Sequence, residues 1–410
     1  MNSLSLLIFG FQHPEPDSTG AGVRMLQLIS VFQSEGFKVY FATASHQNQY
    51  SISLKDLEIP IYNVQLNDTS TDLVLKMLQP DVILFDRFVT EEQYGWKVDE
   101  ICPNALKILD TEDLHFLREK REIELNKNHK NEDLLSDKAK RELAAMYRCD
   151  LSLIISKFEF NYLVNTFDFP ESLLVYLPFL INRNPEEYLL DYSERKHFVS
   201  IGNFKHKPNH DMVVYTYKHI WPLLKQRIPD AEWHIYGAYL PPAIASLNSS
   251  TKAVIVKGRA SNATKTLKQY RLMLAYLRFG AGLKQKCIDS MLAGTPICTT
   301  SIGAEGLLIG KEWAGIIEDD IENYIKQTHN LYAFESKWQK CQNNGFTILD
   351  ANFSRSLFVK DFIHLLHRVL DGLPSYRNDN ITGQLLKYHM YKSTKYMSLW
   401  IQAKNKTDVS

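Results

Sequence analysis

Residues 277–306 of this chain read LRFGAGLKQKCIDSMLAGTPICTTSIGAEG. A strand is predicted to end at Leu277, a loop with Gly280 and Gly282 follows it, and a helix is predicted from Lys284 to Ala293. Glycine lets a backbone turn sharply or approach a ligand closely. The free N–H groups and the dipole at the start of a helix favour a bound phosphate. The stretch therefore predicts a phosphate site between a strand and a helix.

Charged side chains in the same stretch extend this prediction. Arg278, Lys284 and Lys286 add positive charge, and an arginine can bind phosphate oxygens with two parallel hydrogen bonds. Asp289, further along the helix, can accept two hydrogen bonds from a ribose diol, and the glycine-rich turn 301–306 offers backbone amides at the same rim. Together these features predict a pocket for a nucleoside diphosphate. The alternative is that the glycines only form tight turns and that Asp289 lies on a helix surface.

The first half of the chain alternates short apolar runs with helical patterns, which is typical of a doubly wound α/β domain. The predicted elements are strands at 4–9, 37–42, 80–85, 106–110 and 151–156, and a helix at 21–36. The highly charged residues 118–148 are predicted to form one long amphipathic or exposed helix.

A polar segment, 182–196, separates this series from a second one. The second series contains predicted strands at 197–201, 231–237, 254–258, 273–277 and 296–299. The predicted organisation is a first domain at 1–185, a second at 196–352, a helix at 353–372 and a tail at 373–410. Two doubly wound α/β domains place ligands at the carboxyl ends of their strands, so a site is expected in the crevice between them.

Composition excludes several classes of protein. The chain has 47 Lys plus Arg and 47 Asp plus Glu, so no overall field attracts nucleic acid or an anionic membrane. Because 45% of its residues are hydrophobic, a disordered protein is excluded. Five cysteines, spread singly, predict reduced thiols in a cytosol rather than disulfides or a zinc site. No apolar run reaches the roughly 18 residues of a spanning helix, so a soluble or at most peripheral protein is expected.

The tail becomes basic and aromatic from 385 to 401. Its apolar residues are predicted to share one helical face, with Lys387, Lys392 and Lys395 around it; they are Leu386, Met390, Met397, Trp400 and Ile401. Two interpretations stay open here. One is a peripheral helix at a membrane surface, and the other is a tail that packs on the body of the protein or frays.

Residues 277–306 resemble the C-terminal domain of glycosyltransferase family 4, which belongs to the group 1 glycosyl transferases. The family pattern is roughly P-L-R-x-G-x-G-x-x-x-K-x-x-E-A-M-A-x-G-x-P-V-V-x-T-x-x-G-x-E-G. The residues that match it, give or take a position, are Arg278, Gly280, Gly282, Lys286, Met291, Ala293, Gly294, Pro296, Thr299 or Thr300, Gly303, Glu305 and Gly306. The strand and loop at 198–209 also look like the family, so the resemblance is strong over 198–307.

The resemblance implies the α/β fold called GT-B, in which two Rossmann-like doubly wound domains face a central cleft. It implies a hexosyltransferase-like enzyme that moves a sugar from a nucleoside-diphosphate sugar to a hydroxyl acceptor, with retention at the anomeric carbon, in glycan or polysaccharide biosynthesis. Residues 1–185 would hold a glycan, lipid-linked or small-molecule acceptor, 196–352 would bind the donor, and helix 353–372 would return to the first domain. No metal, cofactor or nucleic acid is expected, and the expected location is the cytoplasm or the inner face of the membrane.

The resemblance also assigns candidate site residues. The catalytic candidates are Arg278, Lys284 and Lys286, which would stabilise charge on the leaving diphosphate, and Asp113 and His115, in a loop beside the reacting sugar. The donor-binding candidates are Gly20, Gly22, Asn203, Lys207, Arg259, Gly280, Gly282, Asp289, Gly303, Ala304, Glu305 and Gly306.

Three departures from the family pattern keep other functions open. Asp289 and Ala281 stand where the family has two glutamates, and Tyr276 replaces a proline. Asn203 replaces a phosphate-binding arginine, for which Lys205 or Lys207 is the candidate substitute. The alternatives are a GT-B protein that binds its ligand without turnover, in a regulatory role, and another GT-B enzyme such as a sugar-nucleotide epimerase or a phosphorylase.

Overall fold

The computed structural model describes residues 3–127, 134–308, 310 and 312–407. The strands of the first domain are β1 (Ser5–Phe9), β2 (Lys38–Thr43), β3 (Ile61–Asn63), β4 (Val82–Asp86), β5 (Leu106–Asp110), β6 (Leu151–Ile154) and β7 (Leu174–Tyr176). They form a parallel sheet in the order β3-β2-β1-β4-β5-β6-β7. Every residue of β4 and β5 is buried, as in parallel strands that helices cover on both faces.

The helices of this domain are α1 (Gly20–Ser34), α2 (Ser70–Leu78), α3 (Arg87–Ile101), α4 (His115–Lys127), α5 (Asp137–Arg148) and α6 (Lys157–Phe167). Thr19 starts α1, because its hydroxyl accepts the N–H of Gly22 at 2.9 Å. The single helix predicted over 118–148 is wrong. The hydroxyl of Ser136 accepts the N–H of Ala139 and starts a separate helix, α5, while 128–133 lie outside the described residues.

The second domain repeats the same design. Its strands are β8 (Lys196–Ile201), β9 (Trp233–Tyr236), β10 (Val254–Gly258), β11 (Tyr270–Ala275), β12 (Ile297–Thr299) and β13 (Gly315–Ile317), and they pair in parallel in the order β10-β9-β8-β11-β12-β13. Its helices are α7 (Lys207–Tyr215), α8 (Trp221–Arg227), α9 (Pro242–Ala245), α10 (Ala263–Leu267), α11 (Gln285–Leu292), α12 (Ser301–Ala304), α13 (Ile321–Ala333) and α14 (Glu335–Asn352). Because β11 ends at Ala275, two residues before the predicted end, Arg278 lies in the loop that follows it.

The chain then returns to the first domain through α15 (Val359–Asp371), α16 (Leu373–Asp379) and α17 (Ile381–Thr407). The apolar face of α15, which includes Phe362 and Leu366, packs in the core of the first domain, where Phe362 meets the ring of Phe32 edge-on. In α16, Arg377 donates two hydrogen bonds of 2.8 Å to the carboxylate of Asp150. Residues 373–407 are therefore docked helices rather than a frayed tail. No helix of the described residues has both the length and the apolar character needed to cross a membrane.

The strand order of each sheet reverses at one place, between β1 and β4 in the first domain and between β8 and β11 in the second. Loops that leave the carboxyl ends of strands at such a reversal diverge and open a crevice. The loops after β1 and β4 and the loops after β8 and β11 line one cavity between the domains. The fold thus brings two crevices face to face.

Candidate functional site

A cavity of about 430 Å³ lies between the two domains. The loops after β1, β4 and β5 form its wall in the first domain, and the loops after β8, β9, β10 and β11 form its wall in the second. The predicted site residues that line it are Gly20, Asp113, His115, Asn203, Gly280, Lys284, Lys286 and Asp289. Both domains therefore contribute predicted site residues to one cavity.

Two lysines at the start of α11 line this cavity from the second domain. Lys286 donates from Nζ to Oδ1 of Asn209 at 2.5 Å, and burial lowers its pKa to about 8. Lys284 donates to the carbonyl oxygen of Gly282 at 2.8 Å, and burial lowers its pKa too, although the charge of Glu305 opposes that effect. Both ammonium groups thus donate to neutral oxygens. A bound anion would offset the cost of burying these charges.

Asp289 lies on α11 beyond these lysines. Its Oδ1 accepts a hydrogen bond from Nε2 of Gln285 at 2.8 Å, and burial raises its pKa to about 7. The side chain is half-buried and lines the cavity, so Asp289 is not an exposed residue on a helix surface. In the loop after β8, the carbonyl oxygen of Asn203 accepts a hydrogen bond from Nδ2 of Asn209 at 2.9 Å. This hydrogen bond holds the loop in place.

The other predicted site residues do not line the cavity in this arrangement: they are the catalytic candidate Arg278 and the donor-binding candidates Gly22, Lys207, Arg259, Gly282, Gly303, Ala304, Glu305 and Gly306. Arg278 donates from Nε to Asp211 of α7 at 2.9 Å and from its terminal nitrogen to the same carboxylate. Its guanidinium also lies 4.2 Å from the ring centre of Tyr215. The guanidinium of Arg278, which was predicted to bind phosphate, therefore binds the carboxylate of Asp211 instead.

Glu305 is held across the domain boundary by an arginine that the sequence analysis did not select. Arg121 of α4 donates to both carboxylate oxygens of Glu305, at 2.7 and 2.8 Å, and to the carbonyl oxygen of Gly280 at 2.7 Å. This paired geometry is specific and strong for partly buried groups. Arg121 therefore connects the first domain to two parts of the second domain, the glycine-rich turn 301–306 and the loop that contains Gly280.

Gly282 lies at a second contact between the domains. Its N–H donates to Oε1 of Glu159 at 2.7 Å, and the same oxygen accepts the N–H of Leu114 at 3.1 Å. Gly282 has a φ of 62°, and a Cβ at this position would lie 2.7 Å from Cβ of Asp113. Glycine is therefore required here both by backbone conformation and by space. Burial raises the pKa of Glu159 to about 7.

On the first-domain wall, Asp113 lies between two side chains of α4. Its Oδ1 is 3.2 Å from Nε2 of His115, and Arg118 pairs with its other oxygen. Burial opposes the ionisation of Asp113, but Arg118 and the nearby histidines hold its pKa below the ordinary value. Burial lowers the pKa of His115 to about 4, so its imidazole is neutral at pH 7. The cavity wall thus combines an ionised carboxylate with a neutral imidazole.

Two further residues of this wall were missed by sequence analysis. Arg87 follows β4 with a φ of 73°, and Glu112 follows β5 with a φ of 64°. Residues other than glycine rarely adopt this left-handed backbone region, and such strained residues cluster at functional sites. Oε1 of Glu112 is buried without a hydrogen-bond partner, and burial raises the pKa of this carboxyl well above its ordinary value. Their positions, one residue after β4 and two residues after β5, were the sequence signal that could have identified them.

Buried charges behind these residues are balanced within the protein. Asp110 accepts hydrogen bonds from Nε of Arg24 at 2.8 and 3.1 Å, and Asp86 lies 3.2 Å from Nε of Arg87. Among the residues that the structure describes, no group of three or more His, Cys, Asp or Glu side chains is arranged to hold a metal ion. The expectation that no metal is required stays a prediction.

Glu142 of α5 fixes the start of α4. Its carboxyl oxygens accept the backbone N–H groups of His115 and Phe116, at 3.1 and 3.0 Å, which would otherwise be unsatisfied at the first turn. Burial raises the pKa of Glu142 to about 8. The orientation of His115 toward the cavity thus depends on a carboxyl group that is mostly neutral at pH 7.

We expect Glu142→Gln to flatten the pH dependence of stability between about pH 5 and 8. The unfolded chain loses the Glu142 proton near its ordinary pKa, whereas the folded protein keeps it up to about pH 8, so stability falls as pH rises between these values. The slope for one such group is about 1.4 kcal/mol per pH unit. Melting temperatures of both proteins from pH 5 to 8 test this, and equal slopes would contradict it.

Comparisons with known proteins address the fold and the family. HepE from Anabaena in complex with UDP-glucose superposes with a TM-score of 0.66 at 13% identity, over 89% of this chain and 100% of that chain. Sucrose-phosphate synthase from Thermosynechococcus elongatus gives 0.66 at 13% identity, over 90% and 100%. A mutant of S. aureus TarM in complex with UDP gives 0.57 at 14% identity, over 72% of this chain and 58% of that longer chain. Among curated proteins, no sequence match was found.

The structural matches and the family model agree on the second domain. Both sheets align with structures of GT-B glycosyltransferases, so the predicted GT-B fold is confirmed. Residues 195–333 match the family model described as Glycosyl transferases group 1. That range contains the second sheet and all of 277–306. The chain therefore has the GT-B fold, and its second domain is similar to the group 1 glycosyl transferases.

Proposed function

We propose that this chain is a retaining glycosyltransferase of family 4 type that transfers a hexose from a nucleoside-diphosphate sugar to a hydroxyl of a glycan, lipid-linked or small-molecule acceptor. The observation that carries the proposal is the placement of Lys284, Lys286 and Asp289 across one cavity from Asp113 and His115. The proposed setting is polysaccharide or glycan biosynthesis in the cytoplasm. The free, mostly buried cysteines of the described residues suit a reducing compartment.

The second domain would bind the donor. Its diphosphate would lie at the start of α11, where Lys286 and Lys284 supply charge and Gly280 leaves the backbone accessible. Asp289 would accept the hydroxyls of the ribose. HepE and TarM, two of the similar structures, were solved with UDP-glucose and with UDP, which supports a uridine diphosphate donor.

The first domain would bind the acceptor. Glu112 and Arg87 would hold its reactive hydroxyl, with His115 and Asp113 beside the sugar. The bond between the anomeric carbon and the phosphate oxygen breaks and its electron pair stays on the phosphate, while the acceptor oxygen bonds to that carbon. The acceptor proton passes to the phosphate that leaves. The lysines would stabilise the charge that develops on this phosphate, which is the largest protein contribution in such reactions.

Contacts between the domains support a water-excluding reaction. Arg121–Glu305 and Glu159–Gly282 join α4 and α6 of the first domain to the second domain. At another edge, Tyr239 donates to the carboxylate of Glu15 at 2.9 Å. A closed cavity strengthens electrostatic interactions and limits hydrolysis of the donor by water. These contacts would hold the two domains together during the proposed reaction.

The test is stabilisation of the protein by nucleoside diphosphates. Binding at a concentration about 100 times Kd adds about 2.7 kcal/mol to the free energy of unfolding, so we expect UDP to raise the melting temperature by several degrees. Uridine lacks the diphosphate and should give little shift, while GDP and ADP report on the choice of base. No shift with any of the three diphosphates would contradict the proposal.

A second candidate function is a GT-B protein that binds its ligand without turnover. The observation that favours it is the pairing of Arg278 with Asp211 and of Glu305 with Arg121, which engages one predicted catalytic group and one predicted donor-binding group within the protein. Such a protein would show the UDP shift but would release no UDP from UDP-glucose, with or without acceptors. Release of UDP at a catalytic rate would exclude it.

A further inference from the structure

Arg121 does not line the cavity, yet it binds two loops of the second domain. Its guanidinium donates to both carboxylate oxygens of Glu305, at 2.7 and 2.8 Å, and to the carbonyl oxygen of Gly280 at 2.7 Å. Within the first domain, the same group lies 5.4 Å from the ring centre of Phe158. The side chains of Arg121 and Glu305 are only 15% and 11% exposed. One mostly buried side chain of the first domain therefore holds both loops.

The charges of both members of this ion pair act on Lys284, which lines the cavity. The ammonium group of Lys284 is buried and donates to a backbone carbonyl oxygen at 2.8 Å. Burial lowers the pKa of Lys284, and the positive charge of Arg121 lowers it further. Glu305 raises this pKa, as do Glu159 and Cys287. Without Arg121, the charge of Glu305 would therefore oppose an anion bound beside Lys284.

Arg121 shares its helix with the first-domain wall of the cavity. α4 begins at His115, which lines the cavity, and Arg121 follows less than two turns later, about 9 Å along the helix axis. The carboxyl group of Glu142 fixes the start of this helix. The same rigid element therefore positions His115 on one wall and, through Arg121, the loop of Gly280 on the other.

We propose that Arg121 is a positioning residue of the proposed donor site, which neutralises Glu305 and holds the loop of Gly280 so that the ammonium group of Lys284 binds the diphosphate. Arg121 does not touch the ligand and acts through Glu305 and Gly280. The proposal rests on the proposed function, because the ligand is the proposed donor. A purely structural ion pair would differ in one respect, since it would depend on both partners equally.

The experiment is calorimetric titration of UDP at neutral pH into the unchanged chain, Arg121→Gln, Glu305→Gln and the double variant. Removal of one partner of a mostly buried ion pair leaves the other charge uncompensated. We therefore expect Arg121→Gln to raise the Kd of UDP by at least about tenfold, which corresponds to about 1.4 kcal/mol. Glu305→Gln leaves the positive charge of Arg121 in place and should bind UDP at least as tightly as the unchanged chain. The double variant has no unbalanced charge and should recover most of the affinity that Arg121→Gln loses.

Arg141→Gln is the matched control. Arg141 donates to both carboxylate oxygens of Glu92, at 3.0 and 2.6 Å, and lies 5.2 Å from the ring centre of Phe88, but all three residues belong to the first domain. This variant should bind UDP like the unchanged chain. Melting temperatures of all variants report the loss of packing, which the double variant would not recover.

Three outcomes would overturn the proposal. They are equal UDP affinity of Arg121→Gln and the unchanged chain, equal weakening by Arg121→Gln and Glu305→Gln, and a double variant that binds UDP as weakly as Arg121→Gln. In each of these outcomes the unchanged chain still binds UDP, so the proposed function stands. Failure of the unchanged chain to bind UDP, GDP or ADP would instead contradict the proposed function, and this proposal with it.

Discussion

Replacement of Lys286 by methionine is expected to lower kcat/KM for the donor by about a hundredfold or more. Methionine keeps most of the buried stem but removes the ammonium group from the cavity. Loss of one preorganised group that stabilises charge in the transition state typically costs about 2.7–4 kcal/mol, which is a factor of about 10² to 10³. Release of UDP from the donor in the presence of an acceptor measures the effect.

Lys340→Met is the matched control for this variant. Lys340 lies on α14, is exposed, pairs with Glu312 at 3.2 Å and does not line the cavity. We expect its kinetics to equal those of the unchanged chain. Equal activity of Lys286→Met and Lys340→Met would remove Lys286 from the site. A lower melting temperature for Lys286→Met alone would instead report damage to the core, so both are measured.

The second large effect is expected at Glu112, where alanine should lower kcat by about a hundredfold and leave UDP binding unchanged. The carboxyl is proposed to position the acceptor hydroxyl, and a misplacement of about 1 Å can cost a factor of about 10² in rate. Burial raises the pKa of Glu112 well above its ordinary value, which favours the neutral form of the carboxyl. Glu112→Gln places a neutral hydrogen-bonding group at the same position and should therefore keep most of the activity.

Glu119→Ala provides the comparison in the same domain. Glu119 lies on α4, is partly exposed and pairs with Lys138 at 2.5 Å. Its loss should change kcat little. If Glu112→Gln is as slow as Glu112→Ala, the ionised carboxylate is the working form. If all three variants are as fast as the unchanged chain, Glu112 has no part in the reaction.

The fold was largely predictable from sequence. Buried parallel strands such as β4 and β5 are short continuous apolar runs, and 277–306 carries a pattern specific enough to indicate the second domain and its ligand edge. The same pattern also predicts that Lys286 and Asp289 line the cavity. The loop after β11 and the start of α11 are neighbours in the sequence, so their arrangement does not depend on distant residues.

Contacts between distant parts of the chain were not predictable. Arg278 pairs with Asp211, 67 residues earlier, and Arg121 pairs with Glu305, 184 residues later, and no periodicity marks either partner. Glu112 has a φ of 64°, a conformation that glutamate rarely adopts, so the preference of the residue itself did not predict it. The start of the separate helix α5 depends on the cap at Ser136, which is one residue in a highly charged stretch.

The return of the chain to the first domain has a mechanical consequence. The two segments that pass between the domains meet where the N–H of Ile181 donates to the carbonyl oxygen of Phe353 at 2.7 Å and the N–H of Arg355 donates to that of Ile181 at 3.0 Å. Tied together, they form a single pivot in place of two independent linkers. The domains then separate by rotation about that point. The edge of the cavity that is farthest from the pivot moves most in such a rotation.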